Sequence, residues 1–388
     1  MSNIFSLIFN WVRYILVVCL AVVLIWWGLQ PPGQGRMSGT SEIEESAETA
    51  PPIVQCNGTT MGTVPFCVKA TDTQVQEKEL LQTVQDVLDL VDSTMSTFRT
   101  DSEVSRFNQS NSTDWFPVSP ETAQVVQIAL DVSELTQGTF DITVGPLVNR
   151  WGFGPEEYST LPAQEEIDEI LQSVGYRYLA VQTNPPSIRK DVPHLKIDLS
   201  GIAKGFAVDQ VAAALEKKGI KNYMIEVGGE TRTKGEKSPD RPWTIGIEIP
   251  TPSWVEEPKI QCKVHLGSQS MATSGDYQNF IDDKGIRFSH IIDPRTGWPV
   301  EKSQIDLPDS RQRLGSLSVV DSTCVRADAL TKGFYVLGVE EGLKFANDHG
   351  IAVLFLLREE TGTRRGGPGF TVREVKSEAF KKNVKIVE

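Results

Sequence analysis

The sequence lacks a surplus of basic residues, a CxxC pair and any abundance of histidine. With 51 acidic against 38 basic side chains, the formal net charge is −13 over 388 residues. This balance argues against nucleic acid as a partner, because no excess of Lys and Arg exists to displace counterions from phosphates. The five cysteines form no CxxC pair, which disfavours a zinc ribbon or a thioredoxin-like site. The hydrophobic share of 39% and charged share of 23% exclude bulk disorder and predict a globular protein.

Residues 14–29 form an uncharged and almost wholly apolar run. As a helix this run is about 24 Å long, slightly short of a hydrocarbon core of roughly 30 Å. Trp26 and Trp27 stand where an interfacial aromatic pair is expected. No cleavage site of the A-x-A type is evident, which disfavours a secretory signal. We therefore predict that residues 1–30 form an uncleaved single-pass membrane anchor, and a cleaved signal peptide is the alternative.

Residues 31–52 are rich in Pro, Gly, Ser, Thr and Glu without periodicity, which predicts a flexible linker. The folded domain is then expected to cover residues 53–388. If it lies outside the cytoplasm, its cysteines can form disulfides. Cys56 and Cys67 flank a predicted turn and are the first candidate pair, with buried free thiols as the alternative.

Hydrophobic spacing predicts helices and strands without a regular βαβ alternation, so we predict an α+β fold. Ser119 as N-cap and Pro120 at the first helical position mark one helix start, and Gly138 marks the end of that helix. The other predicted helices cover residues 75–95, 163–174, 204–217 and 327–336. The predicted strands cover residues 196–199, 222–227, 243–249, 288–292 and 351–357.

Several segments contain more Gly, Ser, Thr and Asp than a core requires. At residues 196–217 a predicted strand runs into a glycine turn and a helix, whose N-terminus together with Lys204 can receive a phosphate. The P-loop spacing is absent, and a plain strand-to-helix turn is the alternative. Taken singly, Asp328 is more typical of a helix N-cap than of a metal ligand, and His290 is more typical of a histidine within a strand than of a catalytic residue.

Eight collinear motifs together resemble the FAD:protein FMN transferases, the ApbE family. The motifs are GTTMGT (58–63), STFRTDSEVSRFN (96–108), GTFDITVGPLVNRWGFG (138–154), KIDLSGIAKGFAVD (196–209), VGGE (227–230), ATSGDY (272–277), HIIDPRTGWPV (290–300) and RADALTKGFYVLG (326–338). Members of this family cleave the pyrophosphate of FAD, attach FMN to a Thr or Ser hydroxyl of a target protein, and release AMP with Mg²⁺ as cofactor. The resemblance therefore implies an ApbE-like flavin transferase domain with FAD as substrate.

The resemblance also implies a set of site residues. Aromatic and thioether side chains are expected to contact the flat rings of FAD. His290 is expected to contact FAD and to take the proton of the acceptor hydroxyl, with Asp293 and Thr296 shaping its loop. The residues expected to bind FAD are Met61, Phe98, Phe140, Asp141, Ile142, Thr143, Asp198, Lys204, Gly228, Gly229 and His290.

Magnesium is expected at the Gly201 carbonyl and the Asp328 carboxylate, which makes Asp328 a second catalytic residue. Where the family usually carries a metal-binding Thr, four residues after this Asp, the sequence has Lys332, with Thr331 one residue earlier. An ammonium has no lone pair with which to bind Mg²⁺. Three alternatives stay open: Thr331 replaces the missing ligand, Lys332 partly replaces the charge of the metal, or the metal site is impaired. Residues 299–315 are also longer and more polar than expected for the family.

The predicted partners follow from these assignments. They are FAD, the membrane through the N-terminal helix, and an acceptor protein with a Thr/Ser flavinylation motif, expected to be a membrane redox subunit. The predicted location is the cytoplasmic membrane, with the catalytic domain on the periplasmic side. Two other functions stay open: an FAD pyrophosphatase that uses water as acceptor, and a non-catalytic FAD carrier.

Overall fold

The computed structural model describes residues 52–156, 158, 160–251, 259–275, 280–283, 286–300, 312–360 and 370–387. The helices, in chain order, are α1 Glu77–Met95, α2 Glu103–Gln109, α3 Pro120–Leu135, α4 Gly145–Arg150, α5 Gln164–Leu171, α6 Ala203–Lys217, α7 Cys324–His349 and α8 Glu378–Asn383. The strands, in chain order, are β1 Val54–Thr60, β2 Val64–Thr71, β3 Phe116–Pro117, β4 Leu179–Thr183, β5 Pro186–Lys190, β6 Asn222–Val227, β7 Glu230–Lys234, β8 Glu236–Ser238, β9 Arg241–Pro242, β10 Thr244–Glu248, β11 Ile260–His265, β12 Ser270–Gly275, β13 Phe280–Asp283, β14 Ile286–Ser289, β15 Gln312–Asp321, β16 Ala352–Glu360, β17 Phe370–Lys376 and β18 Lys385–Val387.

The centre of the fold is an antiparallel sheet in the order β1-β2-β6-β7-β12-β15-β16-β17. Helices α1, α6 and α7 contact this sheet, α6 packs between the other two, and their apolar side chains share one core with it. A smaller sheet, β10-β11-β18, and helix α8 share a second core with other residues of β12, β15 and β16. The mixture of helices with antiparallel strands confirms the predicted α+β class.

Strand β16 shows why its sequence is an unbroken apolar run. Side chains alternate between the two faces of a strand. Val353 and Phe355 belong to the core beneath the helices, whereas Leu354 and Leu356 belong to the second core. Because both faces are covered, no polar position interrupts the run, as is typical of a strand buried on both sides.

Most of the predicted elements are present near their expected positions. Ser119 caps α3 by accepting the Thr122 N–H at 3.2 Å, with Pro120 in the first turn. The helix predicted over residues 327–336 is part of the longer α7, which contains a non-helical residue at Gly338 with φ 73°.

The prediction of a strand over residues 196–199 is wrong, because these residues pair with no neighbouring strand. The Asn108 side chain takes the place of such a strand: its amide donates to Ile197 O at 2.8 Å, and its oxygen accepts Ile197 N–H at 2.8 Å. One residue on, Asp198 N–H donates to Ile142 O at 2.7 Å. The backbone is satisfied without a sheet ladder, and Asp198 lies where this segment meets the turn at Ile142.

The strand predicted over residues 288–292 is shorter than expected. Strand β14 ends at Ser289, whose hydroxyl oxygen accepts the Ile291 N–H at 3.2 Å. His290 therefore lies in a bend after the strand, and Ile292 forms only an isolated bridge to Pro299.

The candidate disulfide between Cys56 and Cys67 does not form, and both thiols are free. In the β1–β2 register Cys56 lies opposite Val68, and Cys67 lies opposite Asn57. Neighbouring residues of a strand point to opposite faces, so the two sulfur atoms are on opposite sides of the sheet.

The predicted anchor and most of the predicted linker lie outside the described residues, as do residues 301–311 of the predicted longer loop. Across the ranges that the structure describes, no helix has both the length and the apolar character needed to span a bilayer.

Lys190 provides a test of the packing at β5. Its buried ammonium donates to Leu195 O at 2.9 Å and Phe107 O at 3.3 Å. Burial lowers the pKa of Lys190 from 10.5 to about 8, and nearby Lys196 adds to the shift. Between these two values the unfolded chain holds a proton that the folded protein has released, so this lysine makes stability rise with pH.

We expect the difference in unfolding free energy between wild type and Lys190→Met to change by roughly 3 kcal/mol in favour of wild type across this pH window. Urea unfolding at several pH values measures it. The exposed Lys382, changed to Met, is the control and should follow wild type. Parallel stability curves for wild type and Lys190→Met would contradict the assignment.

Candidate active site

A cavity of about 700 Å³ is lined by residues from the turn after α3, from α4 and the residues that follow it, from the segment that leads into α6, from the β6–β7 turn, from strand β12, from the bend after β14 and from helix α7. Phe140, Asp198, Lys204, His290 and Lys332 all line it. A second cavity of about 460 Å³ includes Phe98 in its wall and shares Asp198 with the first. Volumes of this size are typical of sites for organic ligands.

Asp141 holds the turn that follows α3. Its Oδ1 accepts the Thr143 N–H at 2.8 Å and the Thr143 hydroxyl at 2.7 Å, while its Oδ2 accepts the Tyr176 N–H at 2.6 Å. Burial raises the pKa of Asp141, and these hydrogen bonds oppose the shift. The turn presents Phe140 and Ile142 to the large cavity, whereas Thr143 is used for the internal bond.

Asp198 lies in the wall common to the two cavities. Its Oδ1 accepts the Ser200 N–H at 2.8 Å, and burial raises the pKa of its carboxyl group. This position allows a single ligand that extends through both cavities to contact one carboxylate at the junction.

Two buried ion pairs lie beneath the large cavity. Lys204 on α6 pairs with Glu230 of β7 at 2.7 Å between Nζ and Oε2. Lys332 on α7 pairs with Asp328 one turn earlier. The side chains of Glu230 and Asp328 have no exposed surface, whereas those of Lys204 and Lys332 are 27% and 20% exposed. The cavity therefore meets the two ammonium groups, with the carboxylates behind them.

The first of these pairs is tightly coupled. The carboxylates of Glu230 and Asp328 raise the pKa of Lys204 against the opposing effect of its burial, so this ammonium keeps its proton. Burial raises the pKa of Glu230, an effect that Lys204 opposes. The second carboxylate oxygen of Glu230, Oε1, is buried without a hydrogen-bond partner.

Gly228 lets Lys204 approach the β6–β7 turn. Its φ is 57°, and an added Cβ would lie 2.7 Å from Val64 Cγ1 and 3.2 Å from Lys204 Cδ. A side chain at this position is excluded both by the backbone conformation and by the neighbouring atoms. This turn thus fixes the position of the Lys204 side chain.

The N-terminus of α6 is less open than its sequence suggests. Ile202 and Ala203 N–H both donate to Leu199 O, at 3.0 and 2.8 Å, and Gly205 N–H donates to Asp328 Oδ2 at 2.9 Å. The anion at this helix start is thus the Asp328 carboxylate. The expectation of a phosphate at this site is supported by the two lysines more than by the helix end.

His290 lines the large cavity from the bend after β14. Its ring meets that of Phe153 edge to face, with 6.3 Å between centroids. The following loop is closed by Asp293, whose N–H donates to Trp298 O at 2.9 Å and whose carbonyl accepts Gly297 N–H at 2.8 Å. These hydrogen bonds within the loop fix its conformation, and His290 lies where the loop begins.

Comparison with known proteins shows to which family this chain belongs. The family model described as "ApbE family" matches residues 61–355. The chain belongs to the ApbE family. A protein of Vibrio cholerae named FAD:protein FMN transferase is 41% identical over 311 residues, covering 80% of this chain and 89% of that protein. A protein of the same name from Escherichia coli K12 is 35% identical over 326 residues, covering 83% and 89% respectively.

A solved structure gives the same result for the fold. The flavin transferase ApbE from Vibrio cholerae is similar with a TM-score of 0.72 and 38% identity, over 86% of this chain and 99% of that one. The predicted family is therefore confirmed, and with it the predicted ApbE-like fold of the domain.

The large cavity brings together most of the residues that the ApbE resemblance implies. The predicted residues that line it are Phe140, Asp141, Ile142, Asp198, Gly201, Lys204, Gly228 and His290. Phe98 lines only the second cavity and is 68% exposed. Met61, in the β1–β2 turn, lines neither cavity, and Thr143 and Gly229 do not line the large one.

Three residues at the site were given no role in the sequence analysis. Glu230 is the buried partner of Lys204, and Thr273 and Ser274 of β12 line the large cavity. These residues belong to the VGGE and ATSGDY motifs, so the motifs marked the positions. Sequence alone did not show that Glu230 is buried beneath a lysine of another element.

The side chains present do not fit the magnesium site that the family implies. Both Asp328 oxygens already have donors, Gly205 N–H and the Lys332 ammonium. The Thr331 hydroxyl donates to Asp328 O at 2.6 Å and lies 2.8 Å from Ser274 Oγ. Within the described residues, no three His, Cys, Asp or Glu side chains are grouped so that they could bind a metal ion.

Proposed function

We propose that this protein transfers FMN from FAD to a threonine or serine hydroxyl of an acceptor protein and releases AMP. The observation that carries the proposal is the convergence of His290, Lys204 and Lys332 on one cavity in a chain of the ApbE family. The relatives named FAD:protein FMN transferase support the same activity.

The reaction is a phosphoryl transfer between two oxygen atoms. The acceptor hydroxyl oxygen forms a bond to the phosphorus of the FMN half, the bond from that phosphorus to the bridging oxygen breaks, and AMP leaves with this oxygen. His290 accepts the hydroxyl proton through an imidazole nitrogen. Lys204 and Lys332 offset the negative charge of the pyrophosphate and of the departing AMP. Phe140 and Ile142 provide apolar contact for a ring of FAD.

The proposal extends to the location of the protein. Residues 14–29 form the membrane anchor, and the catalytic domain acts on the periplasmic side, where a membrane redox subunit is the acceptor. The apolar run and the linker composition support this topology. Magnesium is not part of the proposal, because the side chains at Asp328 do not fit it.

The test uses the full-length protein with FAD and a peptide that contains a single threonine. Mass spectrometry should find FMN on the peptide, and chromatography should find an equal amount of AMP. The same peptide with valine in place of threonine is the control and should stay unmodified. AMP together with free FMN would instead indicate a pyrophosphatase, and bound FAD without AMP would indicate a carrier.

A further inference from the structure

We propose that the Lys332 ammonium permanently occupies the cation position at Asp328, so that FMN transfer by this protein requires no divalent metal. The inference rests on the proposed transferase function and concerns the same cavity. It departs from the family expectation of magnesium because of what the side chains around Asp328 contact.

The first observation is the state of the Asp328 carboxylate. It is completely buried, with one oxygen bonded to Gly205 N–H at 2.9 Å and the other to the Lys332 ammonium. A divalent ion reaches this carboxylate only by displacing Lys332 from a buried ion pair. Breaking such a pair is costly, since the displaced charge has to find a new partner.

The second observation concerns the other two expected ligands. Lys332 lies over Gly201, with its Cγ and Cε 3.6 and 3.8 Å from the point where a Gly201 Cβ would stand. Thr331 is fully buried, does not line the cavity, and has its hydroxyl bonded within α7 and to β12. The lysine stem thus passes beside Gly201 and its ammonium contacts Asp328, the two residues that were expected to hold the metal.

The third observation is the balance of charge. Lys204 with Glu230 and Lys332 with Asp328 form two pairs whose carboxylates are inaccessible and whose ammonium groups border the cavity. A pyrophosphate diester carries two negative charges, and in this cavity it would meet two ammonium groups whose paired carboxylates lie behind them. Ammonium groups are strong point-charge donors to phosphate oxygens, so this arrangement supplies the stabilisation without a metal.

The experiment compares full-length wild type with Lys332→Thr, which introduces a hydroxyl and leaves the Asp328 carboxylate without its cation. FMN transfer to the threonine peptide is measured with excess EDTA and with millimolar MgCl₂. We expect the wild-type rate to agree within about twofold between the two conditions. Lys332→Thr should lose about 100-fold or more in EDTA and recover with MgCl₂, because one charge-stabilising group then depends on the metal.

Lys344→Thr is the matched control. Lys344 forms an i,i+4 ion pair with Asp348 on the same helix, but that pair is exposed. This variant should behave as wild type in both conditions. Lys332→Arg keeps a cation beside Asp328 and should also transfer FMN in EDTA.

Thermal unfolding in the presence of FAD gives a readout that does not depend on turnover. A ligand that binds only the folded state raises the melting temperature. MgCl₂ should therefore raise the melting temperature of Lys332→Thr and leave that of wild type unchanged.

The outcomes separate the two proposals. Wild-type transfer that stops in EDTA, or a Lys332→Thr enzyme that is as active in EDTA as wild type, overturns the role of Lys332 and leaves the transferase function intact. If no variant modifies the peptide under any condition, the transferase function fails. The melting temperatures with and without MgCl₂ then still decide whether Lys332 excludes the metal.

Discussion

Replacing His290 by alanine is expected to lower the rate of FMN transfer by about 10²–10⁴-fold, the usual contribution of a general base. His290 lines the large cavity together with Lys204 and Lys332. An imidazole has an unperturbed pKa near neutrality, so it can accept the hydroxyl proton at physiological pH. FAD affinity should change little, because the two lysines and the Phe140 turn still contact the ligand.

The measurement pairs single-turnover transfer to the threonine peptide with FAD binding by fluorescence quenching. His194, an exposed histidine outside both cavities, provides the control when changed to alanine and should leave both quantities as in wild type. Added imidazole should restore part of the transfer by His290→Ala. Normal transfer by that variant, or an equal loss of transfer and FAD affinity, would show that His290 is not the base.

Gly205→Ala is expected to destabilise the domain by about 3 kcal/mol, at the upper end of the range for overpacked cores. Gly205 lies in the first turn of α6, where that helix meets the start of α7. An added Cβ would stand 2.4 Å from Cys324 O and 2.7 Å from Asp328 Cβ, which is closer than carbon atoms approach without displacement. Side-chain rotation cannot relieve these contacts, because Cys324 O belongs to the backbone and a Cβ atom does not move when its side chain rotates.

The same junction is fixed by further bonds. Asp209 of α6 accepts the Val325 N–H at 2.9 Å and pairs with Arg232 of β7. Moving α7 to accommodate a methyl group would stretch these bonds and the one from Gly205 N–H to Asp328. Gly205→Ala should therefore also weaken FAD binding, since Lys332 and Lys204 would shift relative to each other.

Urea unfolding and the melting temperature measure this effect. Gly201→Ala is the matched control for stability: its Cβ would meet Lys332 Cγ and Phe140 Cε2 at an ordinary 3.6 Å. We expect its unfolding free energy to stay within about 0.5 kcal/mol of wild type. Equal stability of Gly205→Ala and Gly201→Ala would contradict this prediction, because it would mean that α6 and α7 leave room for a methyl group at Gly205.

Local sequence signals were sufficient for much of the fold. The Ser119 cap, Pro120 and the helical spacing of the following residues predicted α3, and the apolar run at residues 351–357 predicted β16. These signals are short-range: a cap bonds two or three residues away, and a strand buried on both faces needs apolar residues at consecutive positions. The ordered motifs were also sufficient for the family.

Long-range contacts decided the rest. Residues 196–199 have the composition of a strand, yet the Asn108 side chain satisfies the Ile197 backbone in place of a sheet neighbour. The Cys56–Cys67 disulfide was predicted because the two cysteines flank a turn. The register of β1 and β2 places their thiols on opposite faces of the sheet. In both cases the outcome depends on which segments pack or pair with each other, and the local hydrophobic pattern carries no information on that.

The sequence by itself determined the ApbE family and the α+β class, because ordered motifs and local spacing specify these, and it predicted the candidate catalytic residues. It also marked Lys332 as a departure and left three explanations open. Only the tertiary structure showed that Lys332 reaches back to the buried Asp328, lies over Gly201 and borders the cavity beside Lys204. The i,i+4 spacing of Lys332 and Asp328 is local, but the burial of this pair and its position beside Gly201 and Lys204 depend on the contact between α6 and α7. These two helices are separated by more than a hundred residues of sequence.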